Sequence, residues 1–183
     1  MVGHWSLRAL LGFAVGGILL VAGGAADARG SMQSAALPVP PPRMAAASVD
    51  RIVVLKAART LQLIRNGQVF RSYSIALGRD PTGPKRWEWD GRTPEGRYTV
   101  VGRNPKSHFY LALVISYPNE RDAAEAVRLG VTPGGDIEIH GQPNRAGGLA
   151  KGDWTDGCIA VSNAAMRDIW SLVPDGTPID ILP

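Results

Sequence analysis

From Val49 onward, apolar residues recur in short runs that glycine and proline separate. The runs cover residues 52–55, 61–63, 69–77, 98–101, 111–115 and 137–139. Runs of this length between turn residues are typical of β-strands. Asn66-Gly67 lies between two of them, and Asn-Gly flanked by alternating apolar residues indicates a hairpin. The pattern predicts a β-sandwich or barrel-like domain rather than repeated β-α-β units.

Two segments carry helical signals instead. Asn119 can cap a helix that Gly130 ends. A second helix begins after Ser162 or Asn163 and stops at Pro174. Its apolar residues share one helical face, which packs on the sheet: Met166, Ile169, Trp170 and Val173. The predicted fold class is therefore mainly β, a sandwich with two short helices packed on it.

The N-terminal residues follow another pattern. An apolar run over residues 9–22 is preceded by Arg8 and followed by small residues ending in Ala26-Asp27-Ala28, which has the form of a cleavage site. The run is shorter than the roughly 20 residues of a membrane-spanning helix. We therefore predict a signal peptide over residues 1–28, with an uncleaved anchor as the alternative. An Ala/Pro-rich linker over 29–48 and one folded domain over 49–183 follow.

Composition and charge exclude several functional classes. The formal net charge of +4 is small and dispersed, so it does not indicate a nucleic-acid partner. The single cysteine, Cys158, excludes an internal disulfide framework and a CxxC site. One cysteine and one histidine do not complete a zinc shell. We therefore expect no metal and no cofactor.

Cys158 and His140 are the candidate catalytic pair. An unpaired thiol in an exported protein is either reactive or simply buried, and the sequence leaves both open. His140 follows the strand at residues 137–139 and shares a face with Glu138. A nearby imidazole can take the thiol proton and hold the thiolate as an ion pair. Backbone N–H groups of Gly157 and Cys158 can form an oxyanion hole, although the spacing alone is a weak signal.

Three motifs resemble the L,D-transpeptidase catalytic domain family (YkuD-like). They are Ile139-His140-Gly141, Thr155-Asp156-Gly157-Cys158 and Arg92-Thr93-Pro94-Glu95-Gly96, and the resemblance extends from Val49 to Pro183. The string DWTDGCIAV at residues 153–161 is similar to one branch of the family. That branch includes a member that cleaves, releasing a lipoprotein from the cell wall.

The resemblance implies a periplasmic or cell-envelope enzyme that acts on peptidoglycan stem peptides. Cys158 would attack the bond after the diamino acid of a tetrapeptide, D-Ala would leave, and an amine or water would resolve the thioester. His140 would act first as base and then as acid. The expected products are crosslinks or protein attached to the wall. The alternatives are a hydrolase that cuts L,D bonds or releases a wall-bound lipoprotein, and a wall-binding module with an inert thiol.

Two positions depart from the family pattern. Many members carry His where this chain has Asp156, which we expect to cap the turn, and Arg where it has Ala160. The missing arginine bears on the acceptor reaction more than on the thioester step. A positive group for substrate carboxylates then comes from elsewhere, and Arg145 and Lys151 are candidates, with solvated loop charges as the alternative. Trp154 lines the donor groove or belongs to the core.

The remaining features of the sequence are two further tryptophans and the Arg92–Gly96 segment. Trp87 and Trp89 lie in a turn-rich stretch and are candidates for an exposed wall of the substrate site. Arg92–Gly96 is predicted to be a structural turn, because Thr93 precedes a proline and Gly96 tolerates strained geometry.

Overall fold

The computed structural model describes residues 48–145 and 150–183. The predicted signal peptide and residues 29–47 of the predicted linker lie outside these residues. The strands within them are β1 (Arg51–Leu55), β2 (Thr60–Arg65), β3 (Gln68–Ser74), β4 (Gly96–Asn104), β5 (Ala112–Ile115), β6 (Glu138–His140), β7 (Ile159–Ala160) and β8 (Pro178–Leu182). The helices are α1 (Glu120–Leu129) and α2 (Asn163–Leu172). No helix in this part of the chain is long and apolar enough to cross a membrane.

The strands form one curled sheet in the order β3-β2-β1-β8-β4-β5-β6-β7. The pairs β1–β8 and β6–β7 are parallel, and the other neighbours are antiparallel. Two isolated bridges, Ala76 with Ala160 and Gly78 with Thr155, join the segment after β3 to the region of β7. The two ends of the strand order therefore meet, next to Cys158. The predicted mainly β fold with two helices is confirmed.

The hairpin between β2 and β3 has the predicted turn. Asn66 and Gly67 have φ angles of 52° and 73°, and two successive positive values fit the type I′ turn that Asn-Gly favours. Alternation along β2 buries one face, at Leu61 and Leu63, whereas no residue of β3 is fully buried. Burying an aliphatic side chain of this size contributes about 1.5–3 kcal/mol, so the register is set by the core.

Both helices have the predicted ends. Asn119 and Asp122 form a capping box at the start of α1, and Gly130 ends it in the left-handed conformation at φ 69°. Ser162 caps α2, whose Met166 and Ile169 are buried in the core. The two helices differ in burial, because Ala126 is the one buried residue of α1. Helix α2 is therefore the one that seals the core beside β7.

Candidate active site

The loop from Thr155 to Cys158 is held by its own side chains. The Thr155 hydroxyl accepts a hydrogen bond from the Gly157 N–H at 3.1 Å and donates to the Cys158 carbonyl at 2.8 Å. Thr155 therefore caps this turn. The prediction for Asp156 is wrong, because its carboxylate is exposed and forms an ion pair with Arg79.

The backbone angle and the close contacts at Gly157 leave no room for a side chain. Its φ is 132°, and an added Cβ would lie 2.7 Å from the carbonyl oxygen of Arg92 and 3.1 Å from Ile137. A side chain here would displace the cysteine loop from the segment behind it. The Gly157 N–H is already bonded to Thr155, so this geometry does not favour its predicted role as an oxyanion donor.

Cys158 directly precedes β7, and β7 pairs with the strand β6 that ends at His140. Strands β6 and β7 pair His140 with Ala160 and Ile139 with Ile159, so Cys158 lies opposite Glu138. Residues two apart on a strand share a face, so the thiol and the imidazole lie on the same side of the sheet. With strands about 4.8 Å apart and a rise of about 3.3 Å per residue, their Cα atoms are separated by roughly 8 Å. The register therefore places the two candidate residues near each other, although they lie far apart in sequence.

The imidazole of His140 is fixed in place and is only 1% exposed. Its Nδ1 lies 2.8 Å from the Gly141 carbonyl oxygen, which can only accept, so we assign the proton to Nδ1 and the free lone pair to Nε2. Phe109 stacks on the ring at 4.5 Å between centroids, and Trp154 meets its edge at 5.6 Å. Trp154 thus packs against the imidazole, and this contact holds the ring that would serve as base.

The electrostatics of the pair favour neutral groups. The pKa of the Cys158 thiol is raised to about 11, mainly by burial; a backbone hydrogen bond at Glu138 and the Lys85 ammonium lower it, while the carboxylates of Glu138 and Asp136 raise it. Burial also lowers the pKa of His140. Both groups are therefore neutral at rest. This differs from the expected ion pair because both ionised forms lose hydration at this depth.

The thiol borders a cleft of about 200 Å³. The residues lining it include Lys85, Glu88, Trp89, Asp136, Asp156 and Cys158. The Cys158 Sγ donates to the Asp136 carbonyl at 3.5 Å. A substrate carbonyl entering this cleft can therefore reach the sulfur. Among residues 48–145 and 150–183, no three His, Cys, Asp or Glu side chains are grouped to hold a metal ion.

Lys85 is a cleft residue that the sequence analysis missed. Its side chain is buried, and its ammonium donates to the Trp87 carbonyl and to Asp90, both at 3.0 Å. Burial raises the pKa of Asp90, but backbone N–H groups of Arg86 and Arg92 and the Lys85 ammonium outweigh it and hold it below its usual value. No pattern in the sequence distinguishes this lysine from a solvated loop lysine, since its burial depends on the fold.

The two cations predicted from the glycine-rich loop lie elsewhere. Arg145 and Lys151 are both exposed, and neither lines the cleft that borders Cys158. Ala160 is buried, and its backbone pairs with Ala76 in both directions. Ala160 borders a second cleft of about 410 Å³, where the Arg59 guanidinium is bonded to the Asp153 carboxylate.

The Arg92–Gly96 segment supports the cysteine loop from behind. The Thr93 hydroxyl accepts from the Gly78 N–H at 3.0 Å. Lys56 is only 2% exposed, and its ammonium donates to the Thr93 carbonyl at 2.9 Å and to Glu95 at 2.7 Å. The predicted turn is not seen, because residues 92–95 have no turn and Gly96 begins β4, but the segment presents the Arg92 carbonyl against which Gly157 packs.

Comparison with known proteins gives one consistent family. A family model described as the L,D-transpeptidase catalytic domain matches residues 49–181. YafK of Escherichia coli (strain K12), named as a candidate L,D-transpeptidase, is 30% identical over 128 residues, covering 67% of this chain and 46% of YafK. A similarly named protein of Bacillus licheniformis, YkuD, is 29% identical over 133 residues, covering 73% and 66%. This chain therefore spans about half the length of YafK.

Two solved structures are similar to this chain in fold. A mutant of Pgp2, a helical cell shape determining protein of Campylobacter jejuni, superimposes with a TM-score of 0.59 at 26% identity, covering 74% of this chain and 47% of Pgp2. Bd1075 of Bdellovibrio bacteriovorus gives 0.53 at 29% identity, covering 74% and 52%.

Proposed function

The chain belongs to the L,D-transpeptidase catalytic domain family, and we propose that it acts on peptidoglycan stem peptides through a thioester on Cys158. The observation that carries this proposal is the placement of one thiol. It borders a cleft and directly precedes β7, while a buried imidazole with a free Nε2, which does not itself line that cleft, lies at the end of the paired strand β6. A cysteine and a base in this relation are the parts that nucleophilic acyl transfer requires.

The first step transfers one proton and forms one bond. As Sγ attacks the carbonyl carbon after the diamino acid, the thiol proton passes to Nε2 of His140. The tetrahedral intermediate then collapses, the C–N bond breaks, and the imidazolium returns the proton to the departing D-Ala amine. Because both groups are neutral at rest, the charges form only while substrate fills the cleft.

The oxyanion is stabilised at the backbone. We assign its donor to the Cys158 N–H, because the Gly157 N–H is engaged by Thr155. The Thr155 hydroxyl fixes both ends of the turn. A preorganised donor of this kind costs no rearrangement when the charge develops.

The charges of the cleft suit a diamino acid. Glu88, Asp136 and Asp156 offer carboxylates, whereas the Lys85 ammonium is already bonded to Asp90 and the Trp87 carbonyl. The side chain of a stem-peptide diamino acid carries an amine, which can pair with these carboxylates.

The proposal includes export. The predicted signal over residues 1–28 delivers the chain to the periplasm or envelope, where stem peptides lie, and the predicted linker over 29–48 acts as a spacer. The acceptor is an amine of a second stem or of a wall-attached lipoprotein. Pgp2 is described as determining cell shape, and we propose a wall-remodelling role of that kind here.

Hydrolysis is the second candidate, and Ala160 favours it. A buried alanine stands where many family members carry arginine, so this position supplies no cation for an acceptor. Water would then resolve the same thioester, leaving shortened stems or a released lipoprotein.

Mass spectrometry of muropeptides incubated with the purified protein tests both candidates, with Cys158→Ala as the control. Crosslinked dimers support transfer, whereas shortened stems without dimers support hydrolysis. Identical product spectra for the wild type and Cys158→Ala would refute the thioester route.

A further inference from the structure

Two tryptophans stand out on the surface beside the cleft. Trp87 is 44% exposed and Trp89 is 77% exposed. Large exposed aromatic side chains often mark a binding surface, because they gain free energy when a ligand covers them. Both belong to the short loop between Lys85 and Asp90.

The loop is fastened from below by one carboxylate. Asp90 accepts from the Lys85 ammonium at 3.0 Å, from the Arg86 N–H at 2.7 Å and from the Arg92 N–H at 3.0 Å. These bonds join both ends of the loop to one buried side chain. The loop backbone that carries the two exposed indoles is therefore held in place by hydrogen bonds.

The loop is also docked from the side. The Glu88 N–H donates to the Thr132 carbonyl at 2.8 Å, and the Glu88 carboxylate accepts from the Thr132 hydroxyl at 3.1 Å. Gly134 lies so close that an added Cβ would be 3.1 Å from the Glu88 side chain. Both contacts orient the residue that precedes Trp89.

The backbone at Trp89 is held in a costly conformation. Its φ is 66°, which is uncommon for a bulky residue. The indole is mostly in solvent, so burial in the core does not offset that cost. Strain of this kind persists where the surrounding contacts impose it, and it concentrates at ligand sites.

Trp89 also shares the catalytic cleft. It lines the same cleft as Cys158, whereas Trp87 is not among the lining residues. A stem peptide is attached to a sugar at its first residue, and the proposed scissile bond follows the third. Three extended residues span roughly 10 Å, so a sugar would lie near the outer edge of a cleft of this size.

We propose that Trp89 is a stacking platform for an N-acetylhexosamine ring of the glycan strand that carries the stem peptide. The C–H face of a pyranose is flat and apolar, and it complements the negative face of an indole. The small and charged residues of a stem peptide offer no comparable surface. This inference rests on the proposed function, and it names the second part of the substrate.

The test compares two substrates that differ only in the sugar. We expect wild-type protein to show a higher kcat/KM for a disaccharide-tetrapeptide than for the free tetrapeptide. Trp89→Ala should lower that ratio by about five- to tenfold, the size of one aromatic contact. Trp89→Phe should retain much of the ratio, and the neighbouring Trp87→Ala is the matched control that should leave it unchanged. A ratio that Trp89→Ala does not change overturns the proposal, as does an equal loss on both substrates, which would place Trp89 against the peptide.

A second measurement does not depend on turnover. Oligomers of N-acetylglucosamine should shift one indole N–H resonance of the wild type, and Trp89→Ala should lose that response while Trp87→Ala keeps it. If neither substrate reacts but the oligomers bind at Trp89, the proposed function fails and the sugar site stands. If no indole responds to the oligomers while the muropeptides react, the sugar site fails and the proposed function stands.

Discussion

The cysteine loop has a back and a front that are built from different kinds of contact. At the back, Gly157 packs on the Arg92 carbonyl, and the ammonium of Lys56 is bonded to Thr93 and Glu95. At the front, Cys158 borders a cleft, and Trp89 is mostly in solvent. The back is closely packed and its polar groups are paired, so we expect it to fix the position of the cysteine loop. The front exposes groups that the fold itself does not need, and substitutions should separate the two sides.

The largest effect is expected at the front. Cys158→Ala removes the nucleophile but only one sulfur from the packing, so turnover should vanish while the melting temperature changes little. His140→Ala should also abolish turnover, because the remaining thiol has no base. Muropeptide assays and thermal denaturation of the same preparations give both readouts. Residual turnover in purified Cys158→Ala would disprove the nucleophile.

Lys56→Met should give the largest loss of stability at the back. It leaves the Glu95 carboxylate without its buried partner, and breaking such a pair costs about 3–5 kcal/mol. Urea unfolding measures this change. Lys151→Met, at an exposed lysine, is the control and should stay within about 0.5 kcal/mol. Equal effects of the two substitutions would contradict the distinction between back and front.

The reactivity of the Cys158 thiol, at the front, should also depend on pH. With the thiol pKa raised to about 11, its thiolate fraction should grow about tenfold per pH unit between pH 7 and 9. His140, whose pKa is lowered, stays neutral throughout that range. Iodoacetamide labelling of the resting protein should therefore accelerate about a hundredfold across this range. A plateau below pH 8 would instead indicate a preformed ion pair.

Gly157→Ala tests the contact between back and front. The new methyl group would meet the Arg92 carbonyl, whereas an added Cβ at Gly152 has no atom within 4 Å; φ is positive at both positions, 132° and 66°. Both variants carry backbone strain of about 1–3 kcal/mol, but only Gly157→Ala should also lose most of its kcat. Equal kcat values for the two variants would argue against the clash.

The smallest effect concerns Thr155. Thr155→Val keeps the shape and removes the hydroxyl that bonds Gly157 and Cys158, which should cost about 1–3 kcal/mol of stability and lower kcat several-fold. Thr155→Ser keeps the hydroxyl and should restore most of both. Calorimetry and muropeptide kinetics provide the comparison. An unchanged kcat in Thr155→Val would show that the hydroxyl does not contribute to catalysis.

Local patterns explain how much of the fold was predictable. Asn66-Gly67 and Asn119 act within a few residues of themselves, so their turn and cap follow from sequence. Strands β7 and β8 were not predicted. The first has two residues, and the second pairs with β1 and β4, whose residues lie far away in sequence.

The candidate site divides in the same way. Cys158 and His140 were identified by residue type and by resemblance, both of which are visible in the chain. The burial of Lys85 and the neutral resting state of the pair depend on what packs around each group, and no local pattern encodes that. The signal over residues 1–28 and the linker over 29–48 remain predictions.

The position of β8 has a consequence for folding. It pairs with β1 on one side and β4 on the other, so the strands β1–β3 and β4–β7 share no ladder until residues 178–182 have been synthesised. A nascent chain emerging from the ribosome would hold two incomplete half-sheets with exposed edges, and such edges favour aggregation. Apart from the isolated bridges at Ala76 and Gly78, the two half-sheets are joined through β8, so we expect their alignment to be complete only once that strand has formed.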